Sequence, residues 1–80
     1  MLHVTTYYDT LKVTRDAPAI VIQAACRALM QLNHPDNFEG REYEAVKIAE
    51  DLREAFDVLI DPNTRAQYDN WLAKQMEQSN

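Results

Sequence analysis

Hydrophobic residues recur at three- and four-residue steps through two long stretches, the spacing of one face of an α-helix. In the first stretch, Ala17 to Leu32, the apolar stripe consists of Ile22, Ala25, Cys26 and Leu29. In the second, Arg41 to Leu59, it consists of Ala45, Ile48, Leu52, Ala55, Phe56 and Leu59. The outer face of the second stretch carries opposite charges at i,i+4 spacing, which suits a solvent-exposed helix surface. The pattern therefore predicts two amphipathic helices of similar length.

Two shorter helices are predicted on either side of this pair. The first covers Thr6 to Lys12, with Thr6 as its N-cap. At the other end, Asp61 is placed to cap a helix whose first residue is Pro62, where a missing N–H costs nothing. This last helix is expected to reach about Trp71.

The ends of the chain and of the second helix carry further local signals. Asp16 is the expected cap of the second helix, with Pro18 in its first turn. The polar residues 75–80 are expected to fray.

A short segment, Asn33 to Gly40, connects the two long helices. Pro35 disfavours the α region for His34, and the Asn, Asp and Gly residues supply turn chemistry. A connection of this length favours antiparallel helices with their apolar stripes face to face. The predicted fold is all-α: an antiparallel hairpin of the second and third helices, with a short first and a short fourth helix.

Composition narrows the possible functions. Among 80 residues there are one Gly, one Cys and a net charge of −5. The single Gly disfavours a β-barrel, and the single Cys excludes an intrachain disulfide. The acidic balance disfavours nucleic acid as a partner. No apolar run approaches the ~18 residues of a membrane span, and Met1 to Thr6 lack the pattern of a signal peptide. A cytoplasmic domain is expected.

Enzymatic and metal chemistry find little support in the sequence. No base–nucleophile or carboxylate pair can be argued from spacing, so we expect no enzyme and no cofactor. A metal site built from His34, Asp36 and His3 is disfavoured because the third ligand has no supporting pattern.

At the connection and on both sides of it, the residues resemble the J domain of DnaJ-type co-chaperones. The resemblance rests on Tyr7-Tyr8-Asp9-Thr10-Leu11-Lys12-Val13, Ala17, Ile22, Ala25, Arg27, Leu29, His34-Pro35-Asp36, Ala55-Phe56-Asp57-Val58-Leu59-Ile60-Asp61-Pro62, Arg65 and Tyr68-Asp69. The tripeptide alone would be a weak signal, but its place between two amphipathic helices with matching flanks makes it specific. The J domain is expected to cover residues 1–70, with residues 71–80 as a tail or the start of a linker.

The resemblance implies a function. J domains bind DnaK-type heat-shock chaperones and accelerate their ATP hydrolysis, through the His-Pro-Asp loop and the outward face of the second helix. Carried over to this chain, the partner-binding residues are His34, Pro35, Asp36, Arg27, Gln23, Gln31 and Arg65. The chain has no Gly/Phe-rich stretch and no repeated Cys-x-x-Cys region, so it resembles the J-domain-only class.

The chemistry of the loop agrees with this role. Asp36 is an anion suited to a charge-assisted bond, Pro35 restricts the backbone, and His34 can donate and accept hydrogen bonds. A purely local role also remains open, in which His34 bonds the loop backbone and Asp36 caps a turn.

The second helix departs from the family pattern. The family carries several Lys and Arg at positions that here are Gln23, Ala24, Ala28 and Leu32, and Arg27 is the only charge between Ala17 and Asn33. Three interpretations stay open: a dedicated partner with a less acidic patch, a weak stimulator helped by tethering, or a retained fold without the activity.

That helix is also apolar beyond its core stripe, as at Ile20 and Ala24. These residues are either scattered surface hydrophobes or a face for a further protein partner. The alternative function is accordingly a J-like interaction module that has lost ATPase stimulation and acts as a scaffold.

Three smaller departures concern packing. Lys12 replaces the family's glycine, so a positive φ there is disfavoured or mildly strained. Cys26 replaces a tyrosine and is expected to be a small buried hydrophobe. Asn33 replaces an aromatic residue and is expected to loosen the packing of the loop.

Overall fold

A computed structural model describes residues 5–77, which form four α-helices. They are α1 (Tyr7–Thr10), α2 (Ala19–Leu32), α3 (Glu42–Leu59) and α4 (Pro62–Glu77), and a 3₁₀ turn over Pro35–Asn37 lies between α2 and α3. Residues 5–77 contain no β-strand, so the all-α prediction is confirmed.

Helix α1 begins at the predicted cap. The Thr6 hydroxyl accepts from the Asp9 N–H at 3.1 Å, and the Asp9 carboxylate accepts from the Thr6 N–H at 2.9 Å. This reciprocal capping box satisfies two N-terminal donors. The predicted end at Lys12 was wrong: α1 stops at Thr10, because Lys12 leaves the α region with φ of 55°.

Helix α2 begins two residues later than predicted, and Asp16 does not cap it. The Asp16 carboxylate accepts from the Thr14 hydroxyl at 2.5 Å, and the Ala17 N–H bonds the Thr14 carbonyl at 3.1 Å. Residues 14–17 thus form a turn of their own. Pro18, extended with ψ of 160°, becomes the N-cap in place of a first-turn residue.

Helices α2 and α3 are antiparallel, as predicted. Ala19, at the start of α2, lines a surface depression with Leu59 at the end of α3. Met30, near the end of α2, lines another with Ala45 and Ala49 near the start of α3. The core between them contains Tyr8, Leu11, Ala17, Ile22, Cys26, Leu52, Ala55 and Leu59.

Helix α3 begins at Glu42, one residue after the prediction, and Arg41 provides no side-chain cap. The predicted i,i+4 pairs on its outer face are present, at 2.9 Å for Lys47–Asp51 and 4.0 Å for Arg53–Asp57. All four side chains are more than half exposed, so these pairs add little stability.

Helix α4 starts as predicted, with the Asp61 carboxylate accepting from the Asn63 N–H at 2.7 Å. The predicted end near Trp71 was wrong, because the helix continues to Glu77, and residues 75–77 are helical where fraying was predicted. The rest of that prediction, residues 78–80, lies outside the described residues. Leu72 is only 1% exposed, and Trp71 stacks on Tyr68 with ring centroids 6.0 Å apart. This packing extends the helix beyond its local signals. The division of the chain at residues 70 and 71 stays a prediction.

The positive φ at Lys12 gives a stability prediction. A side chain in the left-handed region is strained, whereas glycine is not. Lys12→Gly should therefore raise the free energy of unfolding by about 1 kcal/mol, measured by urea denaturation. Lys12→Ala is the matched control, because it removes the same charge but keeps Cβ. Equal effects of the two substitutions would contradict the strain at this residue.

Candidate partner-binding site

The His34-Pro35-Asp36 loop lies at the tip of the α2–α3 hairpin, with all three residues exposed. His34 is extended, and Pro35 opens the 3₁₀ turn at the position where its missing N–H is not needed. The turn is closed by the Asn37 N–H on the His34 carbonyl at 2.8 Å. The proline and the turn leave this backbone little freedom.

The imidazole of His34 is part of the same turn. Its Nδ1 accepts a hydrogen bond from the Asp36 backbone N–H at 3.2 Å. A nitrogen that accepts carries no hydrogen, so the neutral ring holds its hydrogen on Nε2. No residue of the range 5–77 accepts a hydrogen bond from that Nε2–H, and the side chain is 60% exposed. His34 thus has both a local role and a free donor.

Asp36 contributes a carboxylate that is 91% exposed. Its Oδ2 lies 3.5 Å from His34 Nδ1, a contact that becomes an ion pair only when the imidazole is protonated. With a neutral His34, the carboxylate accepts no hydrogen bond from the described part of the chain. It is therefore available for a charge-assisted bond to a partner.

Two asparagines hold the loop against the end of α2. Asn33 Nδ2 donates to the Leu29 carbonyl at 2.8 Å, and Asn37 Nδ2 donates to the Leu32 carbonyl at 3.1 Å. The last carbonyls of a helix lack intrahelical donors, and Asn37 supplies one to Leu32. The Leu29 carbonyl also accepts from the Asn33 backbone N–H at 3.0 Å, so Asn33 bonds it twice. Asn33 thus bonds to the end of α2, and the looser packing expected of the loop stays a prediction. Sequence reasoning missed Asn37, although an amide side chain just after a helix is a recognisable signal.

The groove between α2 and α3 continues this surface. A depression of about 450 Å³ is lined by Gln23, Cys26, Arg27, Met30, Gln31, His34 and Phe56. Four of the predicted site residues therefore lie together around it: Gln23, Arg27, Gln31 and His34. Burial raises the pKa of the Cys26 thiol, which keeps it protonated at neutral pH and agrees with its predicted role as a small hydrophobe.

Arg27 is the only charged residue of α2. It is exposed, and within residues 5–77 it forms no ion pair or hydrogen bond. A guanidinium without a partner in its own chain is free to bind an anion on another molecule.

Arg65 lies apart from the loop. Together with Ala19, at the start of α2, it lines a separate depression. The 14 residues of α2 place this end about 20 Å from the tip. Its Nε donates to the Tyr8 hydroxyl at 3.1 Å and its Nη2 to the Arg15 carbonyl at 2.9 Å. The structure brings Arg65 into an internal contact, and not to the other predicted site residues.

The Tyr8 hydroxyl links α1 to α4 by donating to Asp69 at 2.6 Å while accepting from Arg65. Burial and then the bond to Asp69 raise the pKa of Tyr8, and Arg65 opposes them. We call these three residues the α1–α4 clasp.

Other chemistry is not assembled in the described residues. Residues 5–77 hold no group of three or more His, Cys, Asp or Glu placed to bind a metal ion. His3, the disfavoured third metal ligand, lies outside these residues. Within the same range, no helix is long and apolar enough to cross a membrane.

Comparison with known proteins agrees with this architecture. The family model of the DnaJ domain matches residues 6–69. The chain is 43% identical over 65 residues to the chaperone protein DnaJ of Exiguobacterium sibiricum, covering 81% of this chain and 17% of that protein. It is 40% identical to the chaperone protein DnaJ of Bradyrhizobium diazoefficiens, again over 81% of this chain and 17% of the relative. No solved structure matches.

The chain therefore belongs to the DnaJ-domain family, as the sequence indicated. Its four helices have the all-α arrangement of that domain. It spans less than a fifth of the length of these curated relatives.

The α1–α4 clasp gives a prediction for alkaline pH. The pKa of Tyr8 is higher in the folded state than in the unfolded state, where it is about 10. The clasp therefore stabilises the fold fully below pH ~10, and this stabilisation is lost as the pH rises through the folded-state pKa. Tyr8→Phe should cost about 1 kcal/mol at pH 7, and its deficit should shrink above pH ~10. Urea denaturation from pH 7 to 11 measures both effects.

The exposed Tyr43 provides the matched control, because Tyr43→Phe removes a hydroxyl that is not in the clasp. Its difference from the wild type should stay small at every pH. A Tyr8→Phe deficit that is constant with pH would contradict the clasp.

Proposed function

We propose that this chain is the J domain of a co-chaperone that binds a DnaK-type heat-shock chaperone and stimulates its ATP hydrolysis. The observation that carries the proposal is the geometry of the tip loop. A rigid, exposed turn there presents the His34 Nε2–H and the Asp36 carboxylate, and residues 5–77 use neither. Membership of the DnaJ-domain family supports the assignment.

The domain acts in this proposal as an allosteric ligand, with no catalytic residue of its own. Binding accelerates hydrolysis only when the domain has higher affinity for the hydrolysing state of the chaperone. Pro35, the asparagine amides and the His34–Asp36 backbone bond order the loop before docking. Little conformational entropy is then lost on binding.

The residues around the depression on α2 extend this contact. Arg27 offers a charge to an anionic group of the chaperone, and the amides of Gln23 and Gln31 offer neutral donors and acceptors. Arg65 has its guanidinium engaged in the clasp, and we propose that it supports the fold of the docking helix from the opposite end.

A scaffold function is the second candidate. It is favoured by the exposure of Ile20, at 69%, together with the exposed Ala24 on the same helix. A module that only assembles proteins through this face would bind its partner independently of His34.

Single-turnover ATP hydrolysis by the host's DnaK-type chaperone separates the two functions. Added in excess, the wild-type domain should accelerate hydrolysis. His34→Gln should reduce that acceleration at least about tenfold. Both proteins are first shown to be folded by circular dichroism. Binding without acceleration, unchanged in His34→Gln, would instead support the scaffold.

A second substitution at His34 distinguishes docking from loop ordering. In Asn, Oδ1 lies as many bonds from Cα as Nδ1 of His34, so His34→Asn keeps an acceptor for the Asp36 N–H but has no Nε2–H. If Nε2–H contacts the chaperone, His34→Asn should lose as much stimulation as His34→Gln.

Amide hydrogen exchange at Asp36 provides the control for this comparison. The amide should stay protected in His34→Asn and lose protection in His34→Gln. Full stimulation by His34→Asn would show that His34 acts by ordering the loop.

A further inference from the structure

Helix α2 exposes an apolar surface that residues 5–77 do not cover. We call it the apolar α2 face, and it consists of Ile20, Val21, Ala24, Ala28 and Leu32. Ile20 and Leu32 are 69% and 68% exposed, and Val21 is 44% exposed. The opposite side of α2 packs into the core of the domain through Ile22 and Cys26. Most of the side-chain surface of Ile20 and Leu32 is therefore left uncovered by the described residues.

Charge limits what can bind there. The whole chain has a net charge of −5, and α2 contributes only the positive charge of Arg27. At long range the domain therefore repels an acidic surface, and steering by one guanidinium is weak. Carboxylates on a partner surface would also lose their water against Ile20 and Leu32. This costs free energy, because no ion pair forms there in return.

The apolar α2 face is continuous with the candidate docking site. Helical spacing places Arg27 and Gln31 next to Ile20 and Ala24 around α2. Arg27 and Gln31 also line the depression that His34 lines. Leu32 is linked to the tip through its carbonyl, which accepts from the Asn37 side chain. A protein that binds the tip loop is thus brought against α2.

We propose that the DnaK-type chaperone bound by this domain meets α2 with an apolar surface carrying a single carboxylate opposite Arg27. The inference rests on the proposed function and adds the chemistry of the partner's surface. Binding is then driven by burial of apolar side chains, with Arg27 fixing the register.

Opposite charges introduced at Ala24 test this directly. An apolar partner surface disfavours any buried charge, so Ala24→Lys and Ala24→Glu should both raise the dissociation constant at least about fivefold. An acidic partner surface would separate them, with Ala24→Lys binding more tightly and Ala24→Glu more weakly. Calorimetric titration into the ATP-bound chaperone of the host measures the constants.

Ala73 on α4 provides matched controls, because it is exposed and equally helical. Ala73→Lys and Ala73→Glu change the net charge identically but lie outside the apolar α2 face. Both should stay within about twofold of the wild type. For the wild type, raising salt from about 50 to 300 mM should change the constant less than about fivefold, because only one ion pair is screened.

Three results would overturn the inference. Tighter binding by Ala24→Lys would assign an acidic partner surface. Ala24 variants that behave like the Ala73 controls would remove the apolar α2 face from the contact. A wild-type dimer in sedimentation equilibrium that both Ala24 variants dissociate would assign the face to a second copy of the chain.

The readouts keep this inference separate from the proposed function. A wild type that binds without accelerating hydrolysis defeats the proposed function, while the Ala24 comparison still decides the chemistry of the surface. A wild type that does not bind the chaperone overturns both.

Discussion

The packing of α2 against α3 is the interaction on which the rest of the domain depends. Ile22 and Cys26 from one helix meet Leu52, Ala55 and Leu59 from the other, all nearly inaccessible to solvent. Burial of these side chains provides the main favourable free energy of a helical pair of this size. Because the helices are antiparallel, the connecting turn lies at one end of the pair. At the other end, which we call the open end, lie the start of α2 and the end of α3. The tip loop owes its exposed position to this arrangement.

The open end of the hairpin is stabilised by further contacts to α1, because a helix as short as α1 is not stable alone. The hydroxyl of Tyr8 joins α1 to α4 through Asp69 and Arg65, while its ring fills the core. Stability and candidate docking groups are thus concentrated at opposite ends of α2. None of the tip-loop residues belongs to the core, so their side chains are available for binding.

Features determined by local sequence could be predicted. The two apolar stripes, the Thr6 cap and the start of α4 each follow from residues within one or two helical turns. The cluster of Gln23, Arg27, Gln31 and His34 followed from helical spacing together with the family resemblance.

Errors arose where distant residues decide the outcome. Helix α4 outlasts its local signals because Leu72 is buried, which the sequence of α4 does not reveal. Lys12 takes a positive φ in the short segment that joins two core residues, Leu11 and Ala17. The internal role of Arg65 depends on Tyr8, 57 residues away. The bonds of Asn33 and Asn37 could not be predicted, because they depend on where the last carbonyls of α2 lie in space.

The hydrogen bond between His34 Nδ1 and the Asp36 N–H selects one tautomer of the imidazole. Nδ1 accepts this bond, so the hydrogen of the neutral ring lies on Nε2. Nε2 is the ring nitrogen farther from the backbone, and the side chain is 60% exposed. A contact within the turn therefore makes the outer edge of the ring a donor and not an acceptor. The hydrogen-bonding character that another molecule meets at the tip is set by the backbone of the turn.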